Sequence, residues 1–452
     1  MPAQSILSSD PIAALATPPG QSALGIVRMS GDGVWTLAAH ACGHKSIPES
    51  WAPRTAQVVT IRDSDGDVLD EGVLLPWKGP HSSTGEDLVE FIGHGSPAAL
   101  TLVLERFLAL GARPAKPGEF TRRGFINGKL TLDQAESVAS LIDAKTGAAA
   151  RSSLRVLMGG LKTQLQMIEE SLQDALGLVE LELDFAEEEI PIFNRDRFVA
   201  DVAELLDQLE RLSQHARASK YLRNGIHVVI AGETNAGKST LFNQWLGQER
   251  AIVSATPGTT RDYLDAAVDW NGIPVRLVDT AGLRLTEEAI EKEGIRRAQA
   301  LLEQADVLLW LVSPPDFVLP DERYVTDERL LLIRNKADVG VLTPETLSAK
   351  VTAAISATTG DGLDDLQARI VQRLMGGTNY EESLGLEQRH ARHLNEAAEA
   401  LGRSSTLASA NASEELIAVE IRAALDALSE ITGRIAGDDV LNRIFGRFCI
   451  GK

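Results

Sequence analysis

Up to about residue 118 the apolar positions fall in short β-type runs broken by Gly and Pro, as in "ALGIVRMSG" from Ala23, "TAQVVTIRDSDGDVLDEGVLLPW" from Thr55 and "DLVEFIGHG" from Asp87. That pattern predicts a β-rich or α+β domain. From Thr121 to about residue 216 the period lengthens, and in "LTLDQAESVASLIDAKTGAAARSSLRVLMGGLKTQLQMIEESLQDALGLVELEL" apolar residues recur at three- and four-residue spacing. Long helices follow from that spacing. After "NGIHVVIAGE" strands and helices alternate to about residue 375, the signature of a parallel sheet in an α/β domain. Helical spacing then returns in "LEQRHARHLNEAAEALGRSSTLASA" and "SEELIAVEIRAALDALSEITGRI". The simplest organisation is one helical domain with an α/β domain inserted in it, although two separate helical domains would give the same pattern. The expected divisions are 1–118 for the N-terminal domain, 119–216 for the first helical part, 217–378 for the inserted domain and 379–452 for the second helical part with its tail.

The chain of 452 residues is too long for one ordinary core. With 44% hydrophobic and 24% charged residues its composition is that of a soluble globular protein, and its longest apolar run, "DVLLWLVSPP" from Asp306, is far too short to span a bilayer. The opening "MPAQSILSSDPIAALATPPG" lacks the basic start and apolar segment of a signal peptide, and the two cysteines, Cys42 and Cys449, make no disulfide framework. A cytoplasmic location is expected, and the Asn-Ala-Ser at Asn411 is read as a chance glycosylation match. The net charge of -20 excludes a protein that holds nucleic acid over its whole surface. One stretch is locally basic, "KPGEFTRRGFINGK", with Lys116, Arg122, Arg123 and Lys129 against Glu119 alone; on charge it reads as a solvated surface loop.

The strongest chemistry lies in the α/β part. "GETNAGKST", Gly232 to Thr240, fits G-x-x-x-x-G-K-[ST] and stands between the apolar strand "HVVIAG" and the helical "STLFNQWLG", the context a P-loop requires. Backbone N–H groups of Asn235, Ala236, Gly237 and Thr240 would face phosphates, Lys238 would reach the terminal phosphates and Ser239 would ligate Mg2+. "DTAG" ends another apolar strand, so that Asp279 can hold the Mg2+ shell while Thr280, Ala281 and Gly282 bring backbone to the γ-phosphate. "NKAD", with Asn335, Lys336, Ala337 and Asp338, ends a further strand, and the Asp338 carboxylate can accept the N1 and N2 protons that guanine has and adenine lacks. "ISATTG" supplies Ser356, Ala357 and Thr358 to close over the base. In this order and spacing the nucleotide is GTP.

"TPGTTRD" lies where a switch segment belongs, extending the nucleotide site through Ser254, Ala255, Thr256, Pro257, Gly258 and Thr259 to Thr260, the natural second Mg2+ ligand. Many GTPases follow "DTAG" with a Gln that orients the attacking water, but this chain has Leu283. Catalysis must therefore use another segment, a partner or a cation. Asn235 could offer its side-chain oxygen to a monovalent ion, which would act like an arginine finger. Downstream, Glu287, Glu288, Glu291 and Glu293 are all candidates to position water, and spacing does not choose among them.

The motifs above, together with "DPIAALATPPGQSALGIVRMSG", "TGEDLVEFIGHG", "KPGEFTRRGFINGKLTLDQAESVASLIDA" and the terminal "IFGRFCIGK", resemble the MnmE (TrmE) family of tRNA modification GTPases along nearly the whole chain. The resemblance implies an N-terminal α+β folate-binding domain that also makes a homodimer, a discontinuous helical domain and an inserted P-loop GTPase domain. It implies a flavin-dependent partner, MnmG, in a heterotetramer, and an aminomethyl or carboxymethylaminomethyl group placed on C5 of the wobble uridine of tRNA. The one-carbon donor would be 5-formyltetrahydrofolate or 5,10-methylenetetrahydrofolate. Carried over by motif, Arg28, Glu90, Lys129 and Lys452 match the folate-contacting positions; Arg and Lys suit pterin oxygens and a glutamate tail, and a carboxylate suits adjacent N–H donors. The resemblance also implies K+ activation, with Asn235 as side-chain ligand and Ser254, Thr256 and Thr259 as carbonyl ligands, and it singles out Glu291 as the water-positioning carboxylate. Three positions depart from the family pattern, Thr234, Pro257 and Ser83, and none removes a named ligand.

Two other readings of the motifs stand beside this one. A ribosome- or RNA-associated regulatory GTPase without folate chemistry would share the G-domain motifs but not the N-terminal domain or the tail. A membrane-remodelling GTPase is disfavoured by the lack of a basic amphipathic or apolar anchor. The tail itself, "RFCIGK", sets Cys449 between Arg447 and Lys452, cations that favour a thiolate, and makes it a candidate for uridine chemistry as nucleophile or proton donor, or for a positional role.

Overall fold

The structure is a computed structural model that describes residues 9–185, 193–248, 265–279, 303–320, 322–340, 350–376, 383–435 and 437–452. The chain divides into two compact units, Met1–Ala139 with Leu425–Lys452, and Ser140–Ala424.

In the first unit, β1 (Ile12–Leu15), β2 (Leu24–Ser30), β3 (Gln57–Arg62), β4 (Val68–Trp77), β5 (Leu88–His94) and β6 (Arg113–Pro114) form one sheet in the order β3-β4-β5-β2-β1-β6. Its pairings are antiparallel except for β1 with β6. Period-two alternation gives the sheet two different faces. Val27, Met29, Leu74 and Phe91 pack with Trp35 of the helix Val34–Ala41 and with Val103 and Phe107 of the helix Pro97–Ala109. That second helix starts where Ser96 Oγ accepts a bond from Ala99 N–H and Pro97 occupies the first turn, a start at which no N–H is lost. Ala13 of β1 belongs to this core, whereas its neighbours Ile12 and Ala14 point the other way, onto Ala115 and Phe120. The helix Glu119–Ile126 therefore covers the opposite side. Its Phe125 joins Leu132, Leu441, Phe445 and Phe448, which fastens the helix Asp438–Phe445 to the same unit. An α+β unit results, as its alternation predicts.

In the second unit, β7 (Ile226–Gly232), β8 (Asp265–Trp270), β9 (Ile273–Asp279), β10 (Val307–Val312), β11 (Leu330–Arg334) and β12 (Ala353–Ala354) make a sheet in the order β12-β11-β10-β7-β9-β8. Five strands are parallel, and their near-continuous burial matches a sheet covered on both faces. The sheet is not wholly parallel, which corrects the expectation from alternating strands and helices: β8 runs antiparallel to β9. The reason is the two-residue turn Asn271-Gly272, both with positive φ, 53° and 92°, a combination that reverses a strand directly. Trp270 before that turn meets Trp245 with ring centroids 5.1 Å apart inside the core, an aromatic pair worth about 0.5–1.5 kcal/mol beyond its buried area.

The helices on either side of this α/β part pack on each other. Arg195–Asn224 lies along Gln388–Ser409, with Ser213 Oγ donating to Asn395 Oδ1 at 2.9 Å, and Arg223 reaches the Leu386 carbonyl at 3.0 Å. One discontinuous helical body, rather than two separate ones, carries the α/β part.

Candidate functional site

At the carboxyl ends of the parallel strands, the turn from β7 to the helix Lys238–Gln248 uses backbone conformations that few residues adopt, with φ of 65° at Asn235 and 96° at Gly237. Such a turn, leading into a helix N-terminus, aims N–H groups and the positive end of the helix dipole at a bound anion. The Lys238 ammonium donates to the carbonyls of Gly232 at 2.8 Å and Glu233 at 2.9 Å, so its charge lies over the loop. Ser239 Oγ donates to Asp279 Oδ2 at 2.8 Å. Asp279 is fully buried at the end of β9, opposite Ile230 of β7, which is why two motifs forty residues apart meet. Hard oxygen donors in this pairing are what Mg2+ takes.

Asn335, buried at the end of β11, ties three motifs together. Its Nδ2 donates to the Ala236 carbonyl at 2.8 Å, and its Oδ1 accepts from Ala357 N–H at 3.0 Å. Ala337 N–H donates to the Ile355 carbonyl, which brings the "NKAD" and "ISATTG" loops side by side. Ser356 is buried, while Asp338 and Thr358 are exposed at the rim, as are Ser239 and Thr240 on the helix. Lys336 between them has φ 58°. The bridging role of Asn335 was not read from the sequence; only the closeness of two strand ends reveals it. Ser254, Ala255, Thr256, Pro257, Gly258, Thr259, Thr260, Thr280, Ala281, Gly282 and Glu291 lie outside the described residues.

In the first unit the tail has a built seat. Gly118 N–H donates to the Cys449 carbonyl at 3.5 Å and Phe120 N–H to the Lys452 carbonyl at 3.2 Å, while buried Phe448 anchors the segment beside Phe445. Gly451, with φ 97°, stands so close to β1 that a Cβ there would lie 2.0 Å from the Leu15 carbonyl oxygen. Arg28 and Glu90 face each other across β2 and β5, with Arg28 Nε 2.8 Å from Glu90 Oε1. Arg28 also donates to the Gly451 carbonyl at 3.2 Å and sits 5.7 Å from the centre of the Phe120 ring. The structure thus gathers Arg28, Glu90 and the tail. Lys129 is exposed after the helix Glu119–Ile126 and makes no hydrogen bond or ion pair with Arg28 or Glu90; its stem borders Gly85. The two cysteines differ in setting: burial pushes the Cys42 thiol up to about 12, whereas Cys449 is exposed.

The basic stretch is not a solvated loop, contrary to its reading on charge. Arg123 is 1% exposed and pairs with Glu86 at 2.9 Å, Glu119 at 3.2 Å and Asp10 at 3.3 Å, while Arg113 holds Asp10 and Glu119 from the other side. Arg122 donates to Asn442 at 3.0 Å. Sequence-distant carboxylates neutralise what local composition presents as excess positive charge. Burial raises the Glu119 pKa, but hydrogen bonds from Arg113 and the Lys116 N–H outweigh it and hold the carboxyl below its ordinary value.

Residues 11–129 match the family described as GTP-binding protein TrmE N-terminus, and residues 132–449 match MnmE helical domain. The tRNA modification GTPase MnmE of Azoarcus sp. (strain BH72) is 42% identical over 449 residues, covering 98% of each chain. The chain belongs to the tRNA modification GTPase MnmE family. The MnmE of Aquifex aeolicus (strain VF5) is 39% identical over 451 residues, covering 98% of this chain and all of that one. As a GTPase of the MnmE family the chain carries its P-loop strand Ile226–Gly232 inside the stretch that matches the MnmE helical domain, after an N-terminal domain of TrmE type. Among solved structures, the G domain of the T. maritima FeoB iron transporter is 23% identical, covers 32% of this chain and 97% of that one, and superposes with a TM-score of 0.25. Among the described residues no helix is long and apolar enough to cross a membrane.

Proposed function

We propose that this chain is the GTP-hydrolysing component of the system that places a (carboxymethyl)aminomethyl group on C5 of the wobble uridine of tRNA, with a tetrahydrofolate as one-carbon donor. A flavin-dependent partner, MnmG, would complete the chemistry, and two copies of this chain would act as a homodimer in the cytoplasm. The observation that carries this reading is the seating of the tail: Arg28, paired to Glu90, donates to the Gly451 carbonyl at 3.2 Å. That arrangement holds the tail against a paired guanidinium and carboxylate, groups of the kind that suit a pterin's oxygens and N–H donors. Lys129 and Lys452 complete the folate-contacting set.

In the G domain, Asn235, Gly237 and Lys238 would bind the phosphates, Ser239 and Thr260 would ligate Mg2+ with Asp279 supporting that shell, and Asp338 would select guanine. Asn235, left-handed and exposed, makes no side-chain hydrogen bond among the described residues, which fits a ligand for K+, with Ser254, Thr256 and Thr259 proposed to complete the shell. Bound there, K+ would supply positive charge to the transferring phosphoryl group. Glu291 orients the water that attacks the γ-phosphate, the duty Leu283 leaves open. Cys449 acts on the uridine or positions it.

Mass spectrometry of wobble-uridine nucleosides in tRNA from a strain lacking this chain tests the reading. Loss of the C5 modification, restored by the parent and not by Arg28→Ala, is the expected result. Unchanged modification in the deletion strain overturns it.

A further inference from the structure

The surface around the exposed thiol carries cations that the site described above does not use. Lys116, Arg443 and Arg447 are all exposed. They come from distant parts of the sequence whose backbones meet at Gly118: its N–H bonds the Cys449 carbonyl, and its Cα lies so near Phe445 that a Cβ would stand 2.5 Å from that residue's carbonyl oxygen. Arg443 is two residues from Phe445, Arg447 lies between Phe445 and Cys449, and Lys116 is two residues from Gly118. Among the described residues none of the three makes an ion pair, in contrast to Arg113, Arg122 and Arg123 nearby, each of which has a carboxylate within 4.0 Å. Glu119, the nearest acid in sequence to Lys116, is buried and committed to Arg113 and Arg123. Asp438 and Asp439 stand at the other end of their helix, with Asp438 3.9 Å from Arg122. Beside the thiol, Ile450 is 60% exposed and offers a small apolar spot.

The charge of these three exposed cations is left uncompensated by any described carboxylate, in a chain whose net charge of -20 otherwise repels polyanions. We propose that Lys116, Arg443 and Arg447 form the RNA-binding edge of this protein, contacting the sugar-phosphate backbone of the tRNA so that a base reaches the surface beside Cys449 and Ile450. This inference rests on the tRNA modification reading and deepens it by naming the surface. Phosphate contacts position a nucleic acid without reading its bases, so the edge supplies affinity and register, while the base is recognised at the thiol and folate seat. Local cations on an otherwise repulsive molecule also restrict how the RNA can approach.

The test is fluorescence anisotropy of a labelled anticodon stem-loop RNA titrated with the full chain at several salt concentrations. The expected result is salt-dependent binding by the parent, a Kd about tenfold or more weaker in the K116A/R443A/R447A variant, and a salt slope shallower by about 2. GTP turnover stays at the parent rate, and the conservative K116R/R443K/R447K variant binds as the parent does, which separates lost charge from lost folding. Unchanged Kd and slope in the alanine variant, or a parent chain that does not bind the RNA, overturns the proposal. The tRNA modification reading survives those outcomes and falls separately, if the deletion strain retains its C5-modified uridine. If the alanine variant keeps RNA binding and loses only a polyglutamylated tetrahydrofolate, the edge serves the folate tail and the proposal is again overturned.

Discussion

Ser239 Oγ donates a 2.8 Å hydrogen bond to Asp279, joining the first residue pair of the P-loop helix to the end of β9 across the sheet. The carboxylate is fully buried, so its charge is held in place by its partners and not by water. Ser239→Ala removes an oxygen donor and its orientation together. Mg2+ affinity in the GTP complex is expected to fall roughly 10- to 100-fold. A titration of Mg2+ against GTP turnover measures it, and a variant with the parent's Mg2+ dependence would count against the assignment.

Gly237 holds φ 96°, and a Cβ there would lie 2.1 Å from Nδ2 of Asn335. Gly237→Ala must therefore both strain the loop and push away the amide that holds the Ala236 carbonyl. The strain alone is of the order of 1–3 kcal/mol. Loss of guanine nucleotide binding is expected by fluorescence of a labelled GDP, together with a lower Tm; binding as tight as the parent's would refute the coupling of the two motifs.

Gly451→Ala acts on the other unit. The added carbon would collide with the Leu15 carbonyl, so the tail leaves its seat and Arg28 loses its contact to the Gly451 carbonyl. Folate binding, followed by calorimetry with 5-formyltetrahydrofolate, is expected to weaken by more than about tenfold, at a cost above 1.4 kcal/mol. GTP turnover by the same preparation should stay at the parent rate.

Acid stability has a defined sign at Glu119. Its folded pKa lies below the ordinary value of 4.5, with burial opposing and Arg113 favouring the charged form. Its contribution is present in full above that ordinary value and fades as pH falls through the lower folded pKa. Glu119→Gln is expected to lower stability near neutral pH by about 1–3 kcal/mol, because Arg113 and Arg123 lose a charged partner. The difference between variant and parent should shrink below pH 4.5, as thermal unfolding at a series of pH values would show. A constant difference across that range would exclude the ion pairs as its cause.

Much of the chemistry was legible in the chain because it is local. A P-loop needs a strand, a turn and a helix within a dozen residues, and "HVVIAGETNAGKST" contains them all. The α+β alternation, the long helices and the three further loop motifs follow from the same short-range constraints. The Asn271-Gly272 turn that sets β8 antiparallel was also written in the sequence, as a two-residue reversal between apolar runs, and the strand-helix alternation around it masked the signal.

What the tertiary structure alone decided were the partners of charged and polar groups. Arg123 reads as surface charge until Asp10, Glu86 and Glu119 converge on it, and Asn335 reads as one member of a loop until Ala236, 99 residues earlier, supplies its acceptor. Cys449 looked like a loose thiol until Gly118, Phe120 and Leu15 fixed the backbone around it. A side chain's period fixes which way it points along its own element. The cost of burying a charge or a donor is met only by groups that distant segments bring, and that information is spread over the whole chain.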